Sequence, residues 1–336
     1  MDFYVYDKNL NVVGIIDSYT SAIWTLRYNA AGDFEIYIKS TPEILEICQI
    51  DNYVVRDSDN TAMIIKSVKQ TESVENGDYI TISGVSVENI LSQRVVWERT
   101  TLSGRVEECA LTLINDSFIN PIVAARKIPN IKTTLKHLPA EITMTDFSNQ
   151  NVYDAVKTLC DIGKYGFRMT FDGEFFTFEI YSGTDHSKNQ TTNDYIIFDT
   201  DNLTETIMTN DNKAYKNVAL VGGAGDNILK QYASYGNAAG INRYETFVDA
   251  GSVSGTSLLK SAGRDALYEK TATKTFDSEI STYYTYGVDY ALGDIVQVET
   301  KTGVTATARI TEIIQSIDDS GIYTIPTFSE WGLNDD

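Results

Sequence analysis

Short runs of alternating apolar and polar residues, each closed by a turn rich in Asn, Asp or Gly, fill the first 95 residues and return in the last 55. A strand turns successive side chains to opposite faces, so such runs read as half-buried strands, and turns of a few residues make neighbours pair antiparallel. Asp2 to Tyr6 and Asn11 to Ile16 flank Asp7-Lys8-Asn9, and Ser21 to Tyr28 and Phe34 to Lys39 flank Asn29-Ala30-Ala31-Gly32-Asp33, which predicts two hairpins. Thr41-Pro42-Glu43 supplies a cap, a first-turn proline and an acid for a short helix to Gln49. Strands at Asn52 to Arg56, Met63 to Gln70 and Asp78 to Gly84 follow, the last pair turning at Asn76-Gly77, and Ser86 to Arg94 reads as another short helix. Short antiparallel strands with covering helices predict a small barrel.

From about residue 96 the period changes. Val106, Ala110, Leu113, Ile114 and Phe118 recur at helical spacing behind a candidate cap at Ser103, and Asn120-Pro121 ends the run. Val152, Val156, Leu159 and Cys160 form one face of a second helix capped by Asn151 and stopped at Gly163. Gly166 to Phe171 and Glu174 to Tyr181 then flank Asp172-Gly173, the strongest hairpin signal in the chain. Residues 183–217 read as an Asx-rich ordered connection around a strand at Tyr195 to Asp199. Strands at Ala214 to Val221 and Asn242 to Val248 and a helix from Ser257 to Thr271 come next. Tyr283 to Asp289, Ile295 to Thr300, Thr307 to Ile317 and Tyr323 to Phe328, with turns at Gly293-Asp294, Thr302-Gly303 and Ser320-Gly321, predict a second barrel-type sheet. The expected fold class is therefore a β-rich α+β chain with two barrel-like antiparallel β domains and an inserted helix-plus-hairpin region. The expected divisions are 1–95, 96–205 and 206–336, with a helical insertion at about 255–272.

Net charge narrows the function. With 47 Asp plus Glu against 27 Lys plus Arg, the chain carries −20, and by segment −7, −4 and −9, so acidity belongs to folded surfaces rather than to a tail. Such a surface repels phosphate, which argues against sequence-specific nucleic-acid binding. Cys48, Cys109 and Cys160 are an odd set without a CxxC pair and read as reduced core thiols of a protein made in a cytosol. The N-terminus has no basic, long-apolar leader pattern, and no run approaches a membrane span, so neither secretion nor membrane insertion is expected.

Candidate chemistry is sparse. His137 and His186 are the two histidines, too few for most zinc sites and triads. His137, before Leu138-Pro139, reads as a surface loop residue. A Cys160–His186 nucleophile pair competes with the reading of Cys160 as a packed core thiol, and the second is favoured because its helix face is apolar. Gly222-Gly223-Ala224-Gly225 follows a strand but leads into Asp226-Asn227-Ile228, which satisfies neither a dinucleotide fingerprint nor a P-loop, so it reads as a hairpin turn. Asp57-Ser58-Asp59-Asn60 and Asp199-Thr200-Asp201-Asn202 place oxygens as calcium loops do but lack the glycine and the distal glutamate, and read as solvated turns. No catalytic, cofactor-binding or metal residue is assigned, and no cofactor is expected.

The order of motifs resembles the siphovirus tail protein family called gene product thirty-seven-like. The carrying residues are Gly14-Ile15-Ile16-Asp17, Ile23-Trp24-Thr25-Leu26-Arg27-Tyr28 and Gly32-Asp33-Phe34-Glu35-Ile36. Further on come Tyr215-Lys216-Asn217-Val218-Ala219 and Arg243-Tyr244-Glu245-Thr246-Phe247-Val248-Asp249. Asp289-Tyr290-Ala291-Leu292-Gly293-Asp294-Ile295-Val296 and Arg309-Ile310-Thr311-Glu312 complete the series, which spans essentially the whole chain. Asp185-His186-Ser187 departs from the Asp-Arg-Thr expected there.

The resemblance implies a structural hub of a phage tail tip or baseplate, located in the virion tail and synthesised in the host cytoplasm. It implies a homotrimer whose two barrel-like regions per chain build a ring of six around a channel. Expected partners are the tail-tube ring or distal tail protein, the tape-measure protein, and distal spike, fibre or receptor-binding proteins. Relatives that cut cell wall carry an added domain, and the chain stops at Trp331-Gly332-Leu333-Asn334-Asp335-Asp336, so no lysin activity is expected. A channel that passes DNA would favour acids on its wall, with Asp33, Glu35, Asp289 and Asp294 as candidates, although each also reads as a turn cap. The contrasting expectation is a wall-polysaccharide binding or degrading module, suggested by 21 Tyr, 13 Phe and 3 Trp.

Overall fold

Both N-terminal hairpins form. Strand β1 (Phe3–Tyr6) pairs with β2 (Val12–Ile16), and β3 (Ser21–Arg27) pairs with β4 (Asp33–Lys39). The computed structural model describes residues 1–336 except 75–76, 193, 200–202, 226–228, 269, 281–283, 300–304 and 330–336. Expectations at Asn76, Thr200-Asp201-Asn202, Asp226-Asn227-Ile228, Tyr283, Thr302-Gly303 and Trp331 to Asp336 therefore lie outside the described residues. The chain divides into a larger unit, 1–206 with 277–336, and a smaller one, 207–276.

In the larger unit, helix α1 (Pro42–Ile47) starts where Thr41 caps it, its hydroxyl accepting from the Ile44 amide at 3.2 Å. Strands β5 (Tyr53–Arg56), β6 (Ala62–Thr71) and β7 (Tyr79–Ser86) follow, and the expected helix after them is a 3-10 turn over Val87–Gln93. The inward positions hold Phe3, Val5, Trp24, Phe34, Ile36, Ile65, Ile80 and Ile82, all essentially without solvent exposure. Trp24 stacks on Phe3 with ring centroids 5.3 Å apart.

The inserted region opens on strand β8 (Thr100–Arg105), which occupies the position expected to cap a helix at Ser103. Helix α2 (Val106–Ile114) starts behind Arg105 instead and ends in a π-helical turn, Asn115–Ile119. Strand β9 (Ile131–Thr134), strand β10 (Glu141–Phe147), helix α3 (Val152–Gly163), and strands β11 (Gly166–Phe171) and β12 (Phe176–Tyr181) complete it. Asn151 caps α3 by accepting from the Tyr153 amide at 2.8 Å, while the stop is Lys164 in the left-handed region rather than Gly163. The buried faces of α2 and α3 share one core with Phe167, Phe171, Phe176 and Phe178 of the hairpin.

That hairpin turns at Asp172, which accepts from the amides of Glu174 at 3.0 Å and Phe175 at 2.7 Å and from Lys132 Nζ at 2.8 Å. The Lys132 bond foremost, with the Phe175 amide, brings its carboxyl down to about 2. Since that lies below the unfolded value of about 3.9, the ion's contribution is complete above that pH and is lost as pH falls toward about 2. Protection of the β11–β12 amides from hydrogen exchange, relative to the unfolded chain at the same pH, should therefore fall across this window, and Asp172→Asn should flatten the response. Equal acid sensitivity in both proteins would refute it.

The C-terminal strands do not build a separate sheet. After β13 (Ile197–Phe198), strands β14 (Leu203–Asp211) and β18 (Thr273–Ile280) carry the chain out of the larger unit and back. The run expected as a strand from Tyr283 is, over 284–290, a turn with a Tyr286–Tyr290 bridge, because Gly287 takes φ +81° and Asp289 binds the Thr285 amide. Then come β19 (Ile295–Glu299), β20 (Thr305–Asp318) and β21 (Gly321–Ser329). One side of β20 pairs with β19 through Thr305 to Arg309 and then with β3 through Glu312 to Asp318, while its other side pairs with β21. The sheet runs β21-β20-β3-β4-β7-β6-β5-β1-β2. It stays open at β2, so the β-rich α+β class stands, but the described strands close no barrel.

In the smaller unit, β15 (Val218–Gly222) pairs antiparallel with β16 (Tyr232–Tyr235) and parallel with β17 (Glu245–Asp249), and α4 (Thr256–Tyr268) covers one face. Ala219, Val221, Ala233 and Leu259 make its core. Gly263 permits the close helix–sheet approach, since a Cβ there would lie 2.9 Å from Val221 Cγ2.

Candidate functional site

Three separate stretches of the larger unit converge on Tyr28, at the end of β3. Its amide donates to Thr311 O, and its carbonyl accepts from the Phe167 amide at 3.0 Å. Its hydroxyl lies 3.2 Å from Lys164 O and 3.3 Å from Tyr181 O, and its ring meets Tyr181 edge-on at 5.2 Å. The buried Arg309 guanidinium sits 4.9 Å from the ring centroid, donating to the Tyr28 hydroxyl at 3.3 Å and to Gly293 O at 2.6 Å. Burial pushes the Tyr28 phenol up, with Arg309 opposing, so it stays a neutral donor.

Beside this junction, Asp294 is only 4 % exposed. Its oxygens accept from the Thr184 and Ala291 amides, each at 2.7 Å, and Oδ2 lies 3.6 Å from His186 Nε2. Burial raises its carboxyl against those bonds. His186 Nδ1 faces Asp194, 3.3 Å from its Oδ2. The residue that departs from the resembled motif thus stands between two carboxylates.

Two hollows flank Arg168 and Tyr181. One of about 170 Å³ is lined by Arg27, Asp59, Glu88 and Tyr286, and one of about 340 Å³ by Lys136, Ser182, Thr184 and Asp294. Arg168 Nη2 and Lys136 Nζ pair with Glu179 at 2.5 and 3.0 Å, and although burial opposes it, these partners hold the Glu179 carboxyl low. Burial raises Glu88 and Tyr181. Arg168, Lys136 and Glu179 are occupied by one another, and Glu88 accepts from the Met169 amide, an arrangement that fixes chain segments.

The remaining sequence candidates fall apart in space. Cys160 lies on the buried face of α3, where burial raises its thiol, and no hydrogen bond among the described residues joins it to His186, whose Nδ1 faces Asp194 and whose Nε2 lies near Asp294. Burial likewise lifts Cys48 to about 12 and raises Cys109. His137 is exposed with φ +64°, and the flanking Lys136 and Leu138 amides both bind the buried carboxylate of Glu107. Gly223 donates to Gln231 O, which extends the β15–β16 pairing, and Ala224 donates to Val253 O, so neither amide is free for a phosphate. Asp59 is held by the buried Arg56 and by Thr61, so the Asp57 to Asn60 turn is a clamp rather than a calcium loop. No group of three metal-ligating side chains gathers among the described residues. No helix among them is long and apolar enough to cross a membrane.

Among the acids considered for a channel wall, Asp294 is a correction, because it is buried and hydrogen-bonded. Asp33 pairs with Arg27 at 2.6 Å, and Asp289 accepts from the Thr285 amide, while Glu35 and Asp289 are exposed. In sequence Tyr28 and Arg309 stand only as members of strand motifs and Arg56 as a strand end, and Glu107 carries no signal. A charged residue at an inward position of an alternating strand, as at Arg309, was the available signal.

Comparison with known proteins fits this scaffold of clamps. The model of the family described as Siphovirus ReqiPepy6 Gp37-like protein matches residues 2–328. The chain belongs to this family. As a Gp37-like phage tail protein it takes its place in a virion tail. Its fold is that of solved tail proteins. One is a tail protein from Neisseria meningitidis MC58, at TM-score 0.60, 14% identity, and coverage of 98% of this chain and 96% of that one. Prophage tail protein gp18 from Listeria monocytogenes EGD-e aligns at TM-score 0.56 and 16% identity, covering 98% and 94%. The 43 kDa tail protein of prophage MuSo2 from Shewanella oneidensis aligns at 0.60 and 10%, covering 98% of each. No curated protein matches the sequence significantly.

Proposed function

We propose that this Gp37-like chain is the structural hub of a tail tip or baseplate, without an active site. In this reading it is a homotrimeric adaptor between the tail-tube ring, or distal tail protein, and the distal spike, fibre or receptor-binding apparatus. The observation that carries the reading is the family match over residues 2–328, nearly the whole chain. The site geometry supports it, because its buried polar groups bind chain segments to each other. In the trimer each chain contributes to the ring wall the one open sheet that joins β1 to β7 with β19 to β21, and residues 96–205 are inserted between its two parts. The tape-measure protein and then DNA pass through the ring. Exposed Glu35 and Asp289 are the acids retained as wall candidates, and three copies triple a charge of −20, which keeps phosphates from adhering. A closed ring of identical chains needs head-to-tail contacts between different patches.

Native mass spectrometry of isolated tail tips tests the reading. Three copies are expected, and a monomer within intact tips overturns it. Zymography on purified chain should give no clearing, and turnover of cell wall would replace the hub with a degradative module.

A further inference from the structure

We propose that a groove on the inserted region binds the ring of a neutral pyranose sugar, with Trp97 as its platform. The hollow, about 180 Å³, is lined by Trp97, Glu98, Asp116, Asn120, Ile122 and Arg126 among others, and is distinct from those beside Arg168.

The platform is unusual for this chain. Trp24 is completely buried, whereas Trp97 is 61 % exposed. Its position is nonetheless fixed. Val96, just before it, exchanges backbone bonds with Gln150 O and the Asn149 amide. The Arg126 guanidinium lies 5.0 Å from the Trp97 ring centroid and is anchored by a 2.6 Å bond to Val95 O. Arg126 lines the same hollow, so the guanidinium holds the indole at its edge while most of the ring stays open to a partner.

The groove also carries the hydrogen-bonding groups that sugar hydroxyls need. Asp116 lies in the π-helical turn that ends α2, a distortion frequently found at functional positions. Its Oδ1 accepts from Asn115 Nδ2 at 2.9 Å, and the side chain is exposed, so Oδ2 is open to solvent or to a hydroxyl. Asn120 Nδ2 donates to Asn115 Oδ1 at 2.8 Å, so the amide chain behind Asp116 is fixed. A pyranose presents one C–H face with slight positive character, which suits the negative face of an indole, and equatorial hydroxyls that donate to carboxylates. Glu98, Asp116 and the overall charge of −20 disfavour an anionic sugar or phosphate. A protein partner could use the exposed Val95, Ile122 and Val123 around the hollow, and the occlusion outcome below is the one that would assign the groove to it.

The test titrates the purified full-length chain with glucose, galactose, rhamnose and N-acetylglucosamine, and with N-acetylneuraminic acid as the anionic control. Binding is followed by calorimetry and tryptophan fluorescence. A saturable, millimolar response to at least one neutral sugar is expected. Trp97→Ala should weaken it by about tenfold or more, Trp97→Phe by only about threefold, and Asp116→Asn by about fivefold. Unfolding curves unchanged in these surface variants keep the comparison clean. Binding that survives Trp97→Ala, failure of every neutral sugar, or preference for the anionic control overturns the proposal. So does occlusion of Trp97 by a neighbouring tail protein in assembled tips, which would assign the groove to a protein contact.

Discussion

Tyr28→Ala should lower the stability of the protein by about 4 kcal/mol, within the range for removing a fully packed aromatic ring. For a unit of this size that corresponds to a fall in Tm of roughly 8 to 16 °C. The effect is large because the deletion acts three times. It empties the space at a residue only 4 % exposed, it removes the ring and hydroxyl that partner buried Arg309, and it removes the donor for Lys164 O and Tyr181 O. Tyr28→Phe separates these contributions, since it keeps the ring and loses the hydroxyl, and should cost about 1 to 2 kcal/mol. Calorimetry on the two variants decides the matter. Equal losses, or an alanine loss under about 1 kcal/mol, would mean that Tyr28 is not the junction described here.

The second large effect lies at Arg56, with an asymmetry between partners. Arg56 is 1 % exposed, stacks 5.3 Å from the Trp24 centroid, and binds Asp59 and Gln315. Asp59→Ala leaves a buried cation without its counter-ion and should cost about 3 kcal/mol. Arg56→Met removes the charge and keeps much of the packing on Trp24, and should cost under about 1.5 kcal/mol. Thr61 loses its Asp59 bonds only in the first variant, which adds to the difference. Urea unfolding of both proteins measures the order, and a reversed order would show that the clamp is held by arginine packing rather than by its charge pair.

What could be read from sequence follows the range of the forces involved. Strands β1 to β7 and the Asp172-Gly173 hairpin are written in local alternation and turn chemistry, and their expected bounds fall within a few residues of the observed ones. Strand β9 is four residues long and pairs parallel to β12 across a helix and two other strands, so nothing near Ile131 announces it. The Ser103 cap fails because β8 and β10 pair, a contact that helical periodicity cannot register. The same limit hid the junction. Tyr28 reads as a strand end and Asp294 as a turn acid, and only the arrival of Thr184, His186 and Arg309 from distant segments makes them buried partners. The resemblance was legible because it rests on the order of many weak motifs, each of which alone is only a strand and its turn.

The pairing of β20 with β3 sets a clock on synthesis. Arg27 and Glu312, joined at 2.6 Å, are 285 positions apart, and Ile317 completes a core otherwise built from the first 82 residues. A ribosome adding about 5 to 20 residues per second needs on the order of 15 to 60 s between those two residues. Through that interval the free edge of β3 offers unpaired amides and carbonyls to any neighbouring nascent chain. High sequence separation also makes the closing step slow once the residues exist. Yield of native protein should therefore depend on how crowded the translating message is, and less on the strength of the finished core.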